Sequence, residues 1–376
     1  MKLLSLFKKI FFYSLDKVNR ITPKNKNIIS IITYPDFDDT AKNLVIDAIG
    51  KDIEVFILLT GESNQKKPSW AKNTVCVKKY SLKGMLYFIK SGYVLFTHNY
   101  YPYISLAKNQ TVVNFWHGMP IKDIGKMDNN SIVPVANYSI ASCEYFKEYL
   151  SKAFDMPIEN ITEIAHPRLK SFIKPDRKIR NVFAKKNEML GIWLPTYRYT
   201  KLSGGRSDGD VNLDVVGIID IDYEALDLFL INENIVIYIK PHPMNFQQVS
   251  EKAKVCRNIR FIGDNYLLDN NTSLYELMAL SDFLITDVSS VYFDYKLLNK
   301  KIIIAFCDKL KYINSRCGGG RSFDDIVTEK NVNTQQELMA EILSISDLNN
   351  NDFEYMKYWG MDDVKKNTFD QLSKLK

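Results

Sequence analysis

The stretch FLITDVSSVYFDYKLLNKKIIIAF, residues 283–306, contains a whole strand–helix–strand unit. Phe283–Thr286 is a short apolar run with strand character. Val291–Leu298 spaces its apolar residues as a helix does, and Ile302–Phe306 is a second apolar run. Between the first run and the helix stands Asp287-Val288-Ser289-Ser290. Near-continuous Ile, Leu and Phe runs separated by a helix predict parallel strands buried on both faces.

Working outward, the same alternation continues in both directions. Met189–Leu194, Ile235–Lys240 and Ile259–Ile262 read as strands, with helices at Tyr223–Ile231, Ser273–Ala279 and Gln335–Ile345. An earlier series has strands at Ile28–Thr33, Ile53–Leu59, Thr74–Val77, Tyr93–Thr97, Thr111–Phe115, Tyr138–Ala141 and Ile161–Ala165, with helices at Thr40–Ile49, Leu82–Lys90 and Glu144–Phe154. The two series part near Lys174-Pro175-Asp176 and the basic stretch Arg177 to Lys186, a composition that suits a junction. The fold class is therefore α/β, with two consecutive sheet domains, 25–175 and 176–350, and a cleft between them. An amphipathic segment, 1–24, precedes them, and a helical stretch, 351–376, is placed to cross back onto the first. Thr196–Asp220 is a long irregular segment of the kind that is functional or disordered.

Composition narrows the function. The 376 residues are 46% hydrophobic and 12% aromatic, ample for two buried cores. A net charge of +6 is mild and spread out, with no arginine-rich block, so no nucleic-acid partner is expected. The five cysteines are widely spaced and include no CxxC pair, which argues for reduced thiols and against a zinc site. No run of about 20 apolar residues spans a membrane. At the N-terminus, however, Leu3, Leu4, Leu6, Phe7, Ile10, Phe11 and Leu15 form an apolar stripe flanked by Lys2, Lys8, Lys9, Lys17 and Arg20. A helix lying in the plane of an anionic lipid surface has this pattern. So does a helix packed on its own domain with a basic face in water.

Three strand ends hold the chemistry. Asn114–Lys122 reads NFWHGMPIK and places His117 just past a strand, where open α/β sheets bind ligands. A neutral imidazole there can take the proton of an attacking hydroxyl. Gly118 lets a substrate approach the backbone, and Lys122 can hold negative charge. Ile239–Pro243 reads IKPHP; its prolines set the direction of His242, which with Lys240 can donate to phosphate oxygens. Ser289 and Ser290, flanked by Asp287 and Asp294, stand where a helix begins and can cradle an anion, although serine is also the ordinary helix cap. Arg198, in LPTYR, can clamp a diphosphate, and Arg321, beside a glycine run, is a further phosphate contact. His166, at the end of the last strand of the first domain, is a weaker candidate for ligand contact, and His98 is weaker still. No Walker loop, GxGxxG, HExxH or G-x-S-x-G occurs.

Taken together, Trp116–Lys122, Leu194–Arg198, Ile239–Pro243 and Ile285–Tyr295 resemble the CDP-glycerol glycerophosphotransferases, the primases and polymerases of wall teichoic acids and related capsule enzymes. The likeness covers about residues 95–310. It implies a GT-B-like fold of two Rossmann-like domains, the first binding acceptor and the second the cytidine nucleotide. It also implies peripheral attachment at the cytoplasmic face of the membrane and a lipid-linked or polysaccharide acceptor. By that resemblance His117 is the general base, and His242, Arg198, Ser289 and Ser290 hold the phosphates of CDP-glycerol or a similar CDP-polyol, with no tightly bound cofactor or metal. Met119, Val288 and the segment Cys317–Phe323 depart from the family pattern, which leaves room for another polyol. A sialyltransferase-like enzyme using a CMP-sugar is the competing expectation, because such enzymes share the His-Pro element and the serine pair.

Overall fold

The alternating runs pair as parallel strands in the computed structural model, which describes residues 2–61, 66–128, 133–196, 214, 216–241, 255–316, 323–347 and 361–375. The chain divides into two compact units. One comprises Met1–Met119, Asn130–Ile173 and Lys357–Lys376; the other comprises Pro120–Asn129 and Lys174–Met356.

The first unit is built on a seven-stranded sheet in the order β3-β2-β1-β4-β5-β6-β7. Its strands are β1 (Asn25–Ile32), β2 (Glu54–Leu59), β3 (Val75–Lys78), β4 (Ser91–Phe96), β5 (Thr111–Asn114), β6 (Tyr138–Ile140) and β7 (Ile161–Thr162). All pairs are parallel. The order reverses between β1 and β4, so that pair is the topological switch point. Register aligns the strand ends: Ile32 lies beside Phe96, and Phe96 beside Asn114. The loops after β1, β4 and β5 therefore leave the sheet at one level.

Helices cover this sheet. Asp38 caps α2 (Asp39–Ala48), its carboxylate accepting from Ala41 N–H at 2.8 Å. Ser81 does the same for α3 (Leu82–Lys90). The first helix, α1 (Lys2–Ile21), seats Phe12 and Leu15 in a core that includes Met85 and Phe88. Buried Asn19 donates to Gln110 at 3.0 Å, and the Asp16 carboxylate accepts from Ser105 N–H and Oγ at 2.8 and 2.6 Å. At the other end of the chain, Asn367 donates to the Asp47 carbonyl and Thr368 N–H to its carboxylate, each at 2.8 Å, so the last helix (Thr368–Leu372) is fastened to α2.

The second unit has a six-stranded parallel sheet in the order β10-β9-β8-β11-β12-β13. The strands are β8 (Met189–Leu194), β9 (Ile235–Ile239), β10 (Ile259–Phe261), β11 (Phe283–Thr286), β12 (Lys301–Ala305) and β13 (Asn331–Val332). Here the order reverses between β8 and β11. Phe283 lies beside Gly191 in that pair, and a Cβ on Gly191 would sit 2.4 Å from the Phe283 ring, so only glycine fits. The basic stretch read as a junction forms a helix, Arg177–Phe183, capped by Asp176, with Phe183 buried. The strand β13 and the helix Lys309–Arg316 are additions to the expected elements.

Candidate functional site

In the first unit the turn after β5 is held rigidly. Trp116 has φ +54°, a left-handed conformation that costs a non-glycine residue energy, and Gly118 has φ +127°. Two groups hold Trp116 there. Asn114 Oδ1 accepts from Trp116 N–H at 2.9 Å, and His166 Nε2 donates to Trp116 carbonyl oxygen at 3.2 Å. Arg168 N–H donates to His166 Nδ1 at 3.4 Å, which identifies the Nε2–H tautomer. His166 is only 1% exposed. Burial first, then the Arg168 charge, hold its pKa well below the ordinary histidine value. His166 is thus a neutral, buried support for the turn.

The turn delivers His117 to an exposed position at the C-terminal edge of the sheet. Its ring lies 4.2 Å from the Trp116 ring and 4.5 Å from that of His98, the two imidazoles nearly parallel at 15°. His98 Nδ1 is 3.0 Å from Thr97 Oγ1, and the Tyr34 ring meets His98 edge-on at 5.5 Å. A general base needs a solvent-accessible ring on a fixed backbone, and this arrangement supplies one. The sequence ranked His98 last because a lone histidine after a strand does not reveal its neighbour. Asp38 also went unnoticed. Burial, reinforced by the adjacent Asp39 carboxylate, pushes its pKa up to about 7 against the lowering hydrogen bond from Ala41.

In the second unit the ends of β8 and β11 are clamped together. Asp287 accepts from Thr196 N–H at 3.1 and 3.2 Å and from Thr196 Oγ1 at 2.8 Å. Asp294 is fully buried and accepts from Tyr275 Oη at 2.6 Å. Both carboxylates serve the internal packing of the unit. They flank the serine turn, one on each side. Ser289 and Ser290 are half-buried at the start of the helix Val291–Lys296, where Ser289 Oγ accepts from Val291 N–H at 3.5 Å. Lys240 follows β9, its Nζ 3.0 Å from Asp264 Oδ1. Lys122, from the segment Pro120–Asn129, donates to Tyr312 Oη at 3.3 Å. His242, Arg198 and Arg321 lie outside the described residues. The structure therefore gathers His117, Gly118 and His98 at one sheet edge, and Ser289, Ser290 and Asp287 at another. Among the described residues no cluster of three or more His, Cys, Asp or Glu is arranged to hold a metal.

Known proteins resemble this chain in fold and in sequence. The wall teichoic acid polymerase TagF superposes with a TM-score of 0.69, 18% identity, and coverage of 92% of this chain and 88% of that one. The teichoic acid poly(ribitol-phosphate) polymerase of Bacillus spizizenii is 26% identical over 289 residues, 69% of this chain and 43% of the relative. The teichoic acid ribitol-phosphate primase of the same organism is 27% identical over 258 residues, 61% of each protein. The chain thus spans less than two thirds of either relative. The profile of the CDP-glycerol:poly(glycerophosphate) glycerophosphotransferases matches residues 14–364, nearly the whole of this sequence, and the chain belongs to that family.

Proposed function

We propose that this protein transfers glycerol phosphate, or a related polyol phosphate, from a CDP-linked donor to a hydroxyl of a teichoic acid acceptor, releasing CMP. The observation that carries the proposal is the locked Trp116–Gly118 turn, which presents His117 at the strand end of a chain in this family. His117 accepts the proton of the acceptor hydroxyl as its oxygen attacks the β-phosphorus. The bond from that phosphorus to the bridging oxygen breaks, CMP departs with the electron pair, and a phosphodiester remains. Ser289, Ser290, Lys240, Arg198, His242 and Arg321 are the groups proposed to hold the donor phosphates, stabilising charge on the leaving group by hydrogen bonds and positive charge. Gly118 and Lys122 are assigned to the acceptor side.

Three of the relatives are named for ribitol phosphate and others for glycerol phosphate, so ribitol phosphate is the second reading for the transferred group. The CMP-sugar alternative has no relative among them to support it. We also place the protein on a membrane surface, with a lipid-linked acceptor, because α1 turns apolar residues outward.

The test is release of CMP coupled to labelled acceptor, with CDP-glycerol and CDP-ribitol compared. His117→Ala is expected to lower turnover by about 10²–10⁴. Undiminished turnover in that variant would remove His117 from the mechanism.

A further inference from the structure

The loop after β4 ends at the switch point of the first sheet, and register sets Phe96, the last residue of β4, beside Asn114, the last of β5. Three residues beyond Asn114 comes His117; two beyond Phe96 comes His98. The two exposed rings meet face to face at 4.5 Å and 15°. We infer that His98 is a positioning residue for His117, its ring fixing the plane in which the base meets the acceptor hydroxyl.

Asn114 and His166 immobilise the backbone of Trp116 and so the origin of the His117 side chain. They act on the backbone, whereas the plane of the exposed ring answers to contacts of the ring itself, and the stacked His98 ring is one of them. A base that wanders is present but poorly aimed, and misplacement by about 1 Å can cost 10²-fold. His98 offers a flat surface parallel to the ring, and it is itself restrained. Thr97 Oγ1 is 3.0 Å from its Nδ1, and Thr97 Oγ1 also accepts from Tyr34 N–H at 3.3 Å, so the strand ends of β1 and β4 both anchor the support. Tyr34 packs against its edge. Neither imidazole is needed by the core, since both are exposed, so packing of the fold does not explain the contact.

The inference rests on His117 being the base, and the experiment separates the two. Turnover and KM are measured for His98→Ala and His98→Phe, alone and combined with His117→Ala. His98→Ala is expected to lower kcat by about 10–100-fold with KM for the donor unchanged. His98→Phe keeps a flat ring and is expected to recover most of the loss. In the His117→Ala background, His98→Ala should have no further effect, as for two residues that act as one unit. A second readout needs no turnover. The chain has only four histidines, so the His117 ring proton resonance can be assigned by its loss in His117→Ala. It should move in His98→Ala and stay near its place in His98→Phe. Full kcat in His98→Ala, an effect on KM alone, no recovery with phenylalanine, or an unmoved resonance in His98→Ala would each overturn the inference. Retained turnover in His117→Ala alone would instead overturn the assignment of the base.

Discussion

His166 uses both ring nitrogens on backbone groups, Nε2–H to the Trp116 carbonyl and Nδ1 from Arg168 N–H, and so has no room for a second proton. Because its folded pKa is held well below the ordinary value by burial, the unfolded chain takes up a proton below about pH 6.5 that the folded chain refuses. Its contribution to stability is complete above that pH and is lost as pH falls through it, at up to about 1.4 kcal/mol per pH unit. Asp38 works in the opposite direction. Its folded pKa is raised to about 7, so between the unfolded value near 3.8 and that point its contribution falls as pH rises. The two oppose each other over the same window, and only a comparison of variants separates them. His166→Gln keeps a donor for the Trp116 carbonyl and removes the titration. Denaturant unfolding from pH 5 to 7 should show a shallower loss of stability toward acid in this variant than in the parent. Equal slopes would mean that His166 titrates normally. At this scale the sequence was only partly legible. His117 stood out because the strand before it ends so clearly. The roles of His166 and His98 depend on neighbours 50 and 19 positions away, a relation no local pattern encodes.

Among the elements, the pairing of β8 with β11 shows what the carboxylate at position 287 does. The order of the sheet reverses between these strands, and just beyond their paired ends Asp287 accepts two donors of Thr196. Asp287→Ala would leave Thr196 N–H without its acceptor in a site where Asp287 is 1% exposed. The expected loss is about 1–3 kcal/mol of stability, read as a lower denaturation midpoint, with a raised KM for the donor because the serine turn follows directly. Thr196→Val removes only the hydroxyl bond and should cost less. If both substitutions leave the midpoint and KM unchanged, the clamp is incidental. The strands of this sheet were easy to read because buried parallel strands are continuously apolar; Ile235–Ile239 is buried at every position. The two-residue strand Asn331–Val332 was not, since it is too short and too polar to form a pattern. The helix Arg177–Phe183 escaped for a related reason: only Phe183 is buried, so its basic residues looked like a linker.

At the scale of the whole molecule, α1 raises the question of what a helix seated by one face does with a second apolar face. Phe12, Leu15, Asp16 and Asn19 are buried against the first unit. Ile10, Phe11, Val18 and Ile21 point away from it, 54%, 48%, 45% and 80% exposed, with Lys9 and Lys17 exposed among them. The membrane contact proposed above would give this second stripe a reason: apolar side chains would enter the interface of an anionic lipid surface and lysines would meet the head groups. Among the described residues no helix is long and apolar enough to cross a membrane, so contact of this kind would lie along the surface. Flotation with phosphatidylglycerol-containing vesicles should carry the protein upward, less so at high salt, and neutral vesicles should carry less. Each buried apolar side chain of this size is worth about 1.5–3 kcal/mol, so Phe11→Ser combined with Ile21→Ser should weaken binding at least about tenfold. Thermal stability should hardly change, because neither side chain is in the core. The opposite pairing of results, unaltered flotation with a lowered melting temperature, would mean that the outward stripe serves the fold and that lipid is held elsewhere.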